Sequence, residues 1–316
     1  MSKQNTAPAE HRHAPRKKHH VWKWILGIVL AFLLVCGALI GKFYYDAKKS
    51  VDTTYHTVKH DTGRNQSVDL SKGKPFSVLL LGTDTGELGR TDRGRSDTIM
   101  VATISPKKTT LLSIPRDTLV SIAGQPGNQK INAAYAYGGL TGSLNTIQSY
   151  LDIPIDHYVE VNMKGLEQLS EAIGPVEVKN DLDFTQDGNH FPEGTVTIDH
   201  NNILPFSRMR HKDPRGDYGR QLRQREVVTA LVKKIVSVGS ITKYQSILNA
   251  ISSNMKTDIS FDQMKQLYSH YKGAANISQT QLKGQGQMID GISYEVVSDQ
   301  ALSKVQQELK KQLGIE

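Results

Sequence analysis

An uninterrupted apolar run of sixteen residues, Ile25 to Ile40, constrains this 316-residue chain more than any other feature. At about 1.5 Å per residue a helix of that length falls short of a bilayer core of about 30 Å. The flanks extend it: Val21, Trp22 and Trp24 precede the run, and Phe43, Tyr44 and Tyr45 come after it. These aromatics suit the two interfaces, and Lys23 and Lys42 have stems long enough to reach water. The pattern predicts a transmembrane helix over 21–45. A cleaved signal peptide is the competing reading, but the small residues Gly37 and Ala38 would place the cut inside the apolar run. Cys36, the only cysteine, follows Val35 where a lipoprotein would carry a small residue, so it reads as an apolar group facing lipid. One cysteine also excludes an intrachain disulfide framework and a Cys-rich zinc site.

The formal net charge is +8. Lys3, Arg12, Arg16, Lys17, Lys18 and Lys23 precede Trp24 against Glu10 alone, which leaves an excess of three positive charges for the rest of the chain. Most of the charge is therefore a topology signal: the basic flank stays inside, and the residues beyond the span lie outside. Residues 1–20 lack apolar periodicity and read as a disordered cytoplasmic tail. Its histidines (His11, His13, His19 and His20) are too loosely placed for metal binding to be the favoured reading. Polar residues 46–74 read as an extracellular stalk, and 75–316 as the extracellular domain.

Within that domain, strands are expected at 76–81, 98–104, 109–114, 157–162, 175–179 and 293–297. Helices are expected at 131–137, 142–151, 164–173, 220–238, 243–254, 260–272 and 298–313. Residues 181–203, rich in Gly, Asn and Pro, read as a connection. Strands interleaved with helices indicate an α/β (α+β) sandwich, a central mixed β-sheet flanked by helices, preceded by the one transmembrane helix.

The first three strands carry a geometric consequence. If the first ends at Asp84 and the second begins at Asp97, antiparallel pairing brings both acids to one sheet end, and the third strand returns there at Arg116. That end would collect Asp84, Arg95, Asp97 and Arg116. Two carboxylates suit a hard divalent ion such as Mg²⁺, with Mn²⁺ as an alternative, and guanidinium forks suit phosphate. Taken singly, acids and arginines at strand ends are more often solvated loop residues, and Arg95 with Asp97 reads equally as a surface pair. A denser basic segment holds Arg208, Arg210, His211, Lys212, Arg215, Arg220, Arg223 and Arg225, with Asp213 and Asp217 between them. A helix starting near Arg220 would offer N–H groups to an anion. Nucleic acid is disfavoured as a partner, because the segment lies on the expected outside and only Tyr218 interleaves for stacking. No zinc-protease HExxH, G-x-S-x-G elbow or Walker loop occurs.

These blocks resemble the LytR-CpsA-Psr family of cell-wall glycopolymer transferases of Gram-positive envelopes. They are Leu79-Leu80-Leu81-Gly82-Thr83-Asp84, Arg95-Ser96-Asp97-Thr98-Ile99-Met100, Ser113-Ile114-Pro115-Arg116-Asp117, Lys130-Ile131-Asn132-Ala133-Ala134-Tyr135, and Arg208-Met209-Arg210 with Gly216-Asp217-Tyr218-Gly219-Arg220 and Arg223-Gln224. The match covers about residues 75–230. Gly174-Pro175 stands where the family often has paired glycines, and a glycine common near Asp199-His200-Asn201 is missing.

The resemblance implies transfer of an anionic glycopolymer (teichoic acid, capsule or a related polysaccharide) from a polyprenyl-pyrophosphate carrier to a peptidoglycan muramic-acid hydroxyl. By the same carry-over, Asp84 and Asp97 would ligate Mg²⁺, and Arg95, Arg116, Arg208, Arg210, Arg220 and Gln224 would bind the pyrophosphate. Asp217 would orient the arginines or assist proton removal, acting with Arg116 and Arg210 in catalysis. The competing readings are a membrane-anchored regulator of envelope genes and a lipid-pyrophosphate hydrolase using the same residues. The topology has a direct check: in intact cells, external protease is expected to digest residues 75–316 and to spare a tag at residue 1. Loss of the tag with the domain left intact would reverse the orientation.

Overall fold

The structure, a computed structural model, describes residues 55–58, 60–84, 94–237 and 254–315, together with Gly37, Gly41, Lys42 and Tyr45. The expected span over 21–45 thus lies almost wholly outside the described residues, as does the expected helix over 243–254. Among the described residues, no helix is long and apolar enough to cross a membrane.

The elements run β1 (Phe76–Thr83), β2 (Ser96–Ile104), β3 (Thr109–Ser113), β4 (Leu119–Ser121), β5 (Asn128–Lys130), α1 (Ala133–Leu151), β6 (His157–Asn162), α2 (Met163–Ile173) and β7 (Val176–Asn180). They continue with β8 (Phe184–Gln186), β9 (Asn189–Phe191), β10 (Gly194–Ile198), α3 (Ile203–Arg208), α4 (Asp217–Ser237), β11 (Met255–Thr257) and α5 (Phe261–His270). The last are β12 (Ile277–Gln281), β13 (Gln285–Ile289), β14 (Ile292–Val296) and α6 (Asp299–Leu313).

A six-stranded mixed sheet, ordered β11-β6-β1-β2-β3-β12, forms the centre. β1 pairs antiparallel with β2 and parallel with β6, and β3 pairs antiparallel with β2 and parallel with β12. The carboxyl ends of β1, β3, β6 and β12 therefore meet the amino end of β2 on one side. β1 is covered on both faces, which explains its continuous apolar sequence. Leu79, Leu81, Ile99, Val101, Leu112 and Ile114 pack with residues of α1 and α6, including Ile147, Leu151, Leu309 and Leu313. On the opposite face Phe76, Val78, Met100, Ala102 and Leu111 pack with Tyr271, joined by Val228 of α4 and Leu267 of α5. A separate core joins α2, β7, β8, β9, β10, α3 and α4 through residues such as Ile173, Val178, Phe191, Phe206, Val227 and Leu231.

Several expectations change in detail. The two helices expected near 131–137 and 142–151 are one element broken at Gly139, which has φ 59° and ψ −147°. The connection expected over 181–203 instead contains β8, β9 and β10 and leads into α3. Its strands are three to five residues long, and their apolar residues Phe184, Phe191, Val196 and Ile198 turn inward among polar neighbours. Helix α4 starts at Asp217, three residues before the expected start, which places an acid in its first turn where the helix dipole favours it. The segment read as a stalk contacts the domain from Tyr55 on: Arg64 bonds Asp156 at 2.5 and 3.0 Å, and Leu70 is buried.

One ion-pair cluster fixes α4 against its surroundings. Asp213, with a fully buried side chain, accepts from Arg223 at 2.7 Å and from Arg215 Nε and Nη2 at 2.9 Å each. Arg215 also grips Asp181 at 2.6 and 2.9 Å, and Arg223 bonds the Met209 carbonyl at 2.5 Å. Gly219 has to lack a side chain because a Cβ there would collide with the Asp213 carboxylate. Burial works to raise the Asp213 pKa, but the hydrogen bonds from Arg215 and Arg223 outweigh it and hold the carboxyl well below its ordinary value. A depressed carboxylate contributes stability above its unfolded pKa of about 3.9 and loses it as pH falls through the folded value. Asp213→Asn is therefore expected to cost about 3 kcal/mol at pH 7 in urea unfolding, because Arg223 is left buried and unpaired. The variant should also show a flatter decline in stability below pH 4. Equal midpoints at pH 7 would remove the cluster from this role.

Candidate functional site

The strand directions bring the first charged group together as the sequence implied. Gly82 is in register with Thr98 and Thr83 with Ser96, so Asp97 is the bulged residue of β2 opposite the end of β1, Asp84 follows directly after β1, and Arg116 lies just past the end of β3. Asp84, Arg95, Asp97 and Arg116 line one cavity of about 590 Å³, with Gly94, Asp117, Lys130, Asn132 and Ala136. The Asp84 Oδ1 accepts the Arg95 amide at 3.0 Å. Arg116 Nη1 bonds Asp97 Oδ1 at 2.9 Å, its Nε lies 3.7 Å from Asp117, and Asp117 in turn holds Lys130 at 2.7 Å.

Helix α4 supplies the second group from the neighbouring side. Arg220 Nη2 lies 2.7 Å from Asp217 Oδ1 and donates to the Asp97 carbonyl at 3.3 Å. Gln221 donates to the other Asp217 oxygen at 2.8 Å. Asp217 is thus held by Arg220 and by Gln221. Gln224, also expected in the site, is buried one turn beyond Arg220, and its Oε1 has no hydrogen-bond partner. Arg210 is half-buried and close enough to act on Arg220 electrostatically, and Arg208 is exposed at the end of α3. The four residues from the basic segment, Arg208, Arg210, Arg220 and Gln224, stand outside the cavity lining. Asp97 is the seam between the two groups.

The electrostatics depend on that seam. Burial opposes the charge on Arg116, but Asp97, bonded to it, and the nearby Asp117 and Asp217 raise its pKa above the ordinary value. For Arg220 burial wins: its pKa is lowered despite Asp217 and Asp97, with Arg116 and Arg210 adding repulsion. Cations pressed together in this way bind an anion more strongly than isolated ones in water.

The C-terminal segment clamps the amino end of α4. The Tyr218 hydroxyl bonds Glu295, the Gly284 amide donates to Tyr218 Oη at 2.9 Å, and Gln281 donates to the Tyr218 carbonyl at 3.3 Å. Three cavity residues with polar side chains escape a reading of the sequence as site residues: Asp117, Lys130 and Asn132. All lie in the blocks that carry the family resemblance, but nothing in their spacing shows that β4 and β5 fold back over the end of β3. Asn132 is buried, and its Oδ1 is unpartnered at the cavity.

Asp84 and Asp97 supply hard oxygen donors on one cavity wall. Among the described residues no group of three or more His, Cys, Asp or Glu is placed to hold a metal. Two carboxylates still fit an ion such as Mg²⁺, which completes its shell with water and phosphate oxygens.

The mixed sheet with helices on both faces, and the arginines and carboxylates gathered at one end of it, define an α/β protein with a charged cavity at the sheet end. Comparison with known proteins shows its family. The LytR_cpsA_psr family model matches residues 40–311, and the chain belongs to that family. A curated relative from Enterococcus faecalis, described as polyisoprenyl-teichoic acid–peptidoglycan teichoic acid transferase TagU, is 49% identical over 301 residues, 94% of this chain and 99% of its own. A crystal structure from the same organism, described as a transcriptional regulator, aligns with a TM-score of 0.72 at 43% identity, covering 79% of this chain and 92% of that one. A solved structure described as TagT bound to LIIa-WTA has a TM-score of 0.68 at 29% identity, covering 83% of this chain and 99% of that one.

The seam can be tested without turnover. In the presence of a chelator, Arg116→Gln is expected to weaken inorganic pyrophosphate binding about tenfold in calorimetry. Asp97→Asn should bind at least as well as the parent, because it removes a competing anion. Weaker binding by Asp97→Asn under those conditions would show that the carboxylate orients Arg116 and does not compete with the ligand.

Proposed function

We propose that this chain moves an anionic glycopolymer from a polyprenyl-pyrophosphate carrier to a hydroxyl of peptidoglycan, leaving a phosphodiester. It is a glycopolymer transferase of the LytR_cpsA_psr family, and teichoic acid is the polymer named for its curated relative. The observation that carries the finer reading is the convergence of Arg116 and Arg220 on Asp97 from segments about a hundred residues apart. A pyrophosphate is a concentrated anion, and phosphoryl transfer needs positioned positive charge more than covalent help.

In this reading the pyrophosphate lies across the seam, held by Arg116 and Arg220 with Arg95, Arg208, Arg210 and Gln224 around them. The acceptor oxygen attacks the phosphorus bonded to the sugar. The bridging P–O bond breaks, and polyprenyl phosphate leaves with the electron pair. The acceptor proton passes to a carboxylate or to water at the sheet end. Asp217, whose Oδ2 accepts from Gln221 and whose Oδ1 lies 2.7 Å from Arg220 without a hydrogen bond, would orient Arg220 or take that proton. Asp84 and Asp97 would hold Mg²⁺, which when bound supplies further positive charge for the phosphate oxygens. Residues 21–45 would anchor the chain in the membrane, with the amino terminus cytoplasmic and the domain outside, where donor and acceptor meet.

The test is product identity. Full-length protein in detergent with Mg²⁺, a lipid-linked saccharide and a peptidoglycan oligomer should give a phosphodiester-linked adduct by mass spectrometry. Arg116→Ala and Arg220→Ala should each slow it by about 10² or more. Sugar phosphate released into water with acceptor present would turn the reading to a hydrolase.

A further inference from the structure

The proposed transfer steps leave the α1 side of the cavity without a task. Asn132, immediately before α1, is 3% exposed and lines the cavity. Its backbone amide donates to the Arg116 carbonyl at 3.2 Å, which sets it beside the seam. An asparagine in this position usually has extended backbone and caps the helix with its side chain. Asn132 instead has helical backbone, φ −66° and ψ −19°, and its side chain makes no capping bond. Its Oδ1 is buried without a partner. A buried amide oxygen left unsatisfied is costly, and an arriving ligand that donates to it offsets the cost.

One turn on, Ala136 lines the same cavity, and an exposed aromatic residue follows it. Tyr137 is 52% exposed, whereas Tyr135 is buried and bonds Glu160 at 3.0 Å. Tyr135 thus fastens this segment to β6, and Tyr137 is left in water. The helix breaks two residues later at Gly139, whose φ of 59° and ψ of −147° only glycine adopts readily. Beyond the break the backbones crowd: a Cβ on Gly142 would lie 2.6 Å from the Ala134 carbonyl oxygen. Next to Tyr137, by contrast, a Cβ on Gly138 would meet nothing within 4 Å. This side of the cavity therefore offers an uncharged amide, an aromatic ring and open space, where the seam offers charges.

An amide and an aromatic ring together suit a sugar. The amide bonds hydroxyl or acetamido groups, and the ring covers the apolar C–H face of a pyranose. In-line transfer puts the attacking oxygen opposite the leaving one. The pyrophosphate of the proposed reaction lies toward Arg220, which stands outside the cavity lining, so the α1 side is left to the attacking sugar. We propose that Asn132 and Tyr137 seat the acceptor sugar of peptidoglycan. The proposal rests on the transferase reading and adds acceptor recognition to it. An amide does not take a proton, so Asn132 holds a group that does not react. The attacking hydroxyl is left to face the cavity carboxylates Asp84, Asp97 and Asp117.

The experiment uses full-length protein in detergent with Mg²⁺, a lipid-linked saccharide and a peptidoglycan oligomer, each substrate varied in turn. Asn132→Leu is expected to raise KM for the oligomer about tenfold and to leave KM for the lipid-linked saccharide near the parental value. Tyr137→Ala should raise the same KM about fivefold, and Tyr137→Phe should keep the parental value, because the ring and not its hydroxyl makes the contact. Without substrate, Asn132→Leu should melt no lower than the parent, because an unsatisfied polar group has been removed. A rise confined to KM for the lipid-linked saccharide would give the subsite to the donor and overturn the proposal. Parental KM for the oligomer in both Asn132→Leu and Tyr137→Ala, with Arg116→Ala slowed, would remove the subsite and leave the transferase reading standing. No adduct from the parent would overturn both. Should Asn132→Leu not fold, Tyr137→Ala decides: parental KM for the oligomer there overturns the subsite.

Discussion

The carboxylate and carbonyl of Asp97 hold together charges that would otherwise repel. Arg116 reaches the side chain at 2.9 Å and Arg220 reaches the backbone at 3.3 Å, so one residue at the start of β2 joins the end of β3 to the first turn of α4. Two guanidiniums approach this closely in a half-buried site only with acids between them, and Asp217 serves the same end from the helix side. The seam has two consequences. It keeps Arg116 firmly charged, and it leaves room for a second, stronger anion to complete the neutralisation.

Much of the remaining architecture keeps that seam in place. Asp213 pins Arg223 and Arg215, and so sets where α4 begins. The Tyr218–Glu295 bond and the Gln281 contacts tie the same end of the helix to the C-terminal strands. Breaking any of these shifts Asp217 and Arg220 together, because they occupy the first turn of one helix. Stability and function are therefore coupled through the placement of α4 more than through the cavity wall itself.

The legible parts of the sequence are those with strong local signals. β1, β2 and β3 are nearly continuous apolar runs separated by charged turns, and their antiparallel order is implied by that spacing alone. The placement of Asp84, Asp97 and Arg116 at one end comes with it. β12, with sequence Ile-Ser-Gln-Thr-Gln, gives no such signal. It is a polar edge strand held by parallel pairing to β3 and by glutamine bonds to α4, both of them long-range. β8, β9 and β10 are hidden for a related reason, being short and rich in turn residues. The basic segment reads as one cluster, yet the fold divides it. Arg215 and Arg223 serve Asp213, Arg220 faces Asp97, and Arg225 is buried farther along α4. Helical periodicity cannot make that division without knowing which acids return from elsewhere.

The most direct measurement is a crystal structure with geranyl pyrophosphate and Mg²⁺ bound. The expected result places phosphate oxygens within hydrogen-bond distance of both Arg116 and Arg220, with Asp97 turned toward the metal. A pyrophosphate seated away from both arginines, with the Asp97–Arg116 pair intact, would contradict it.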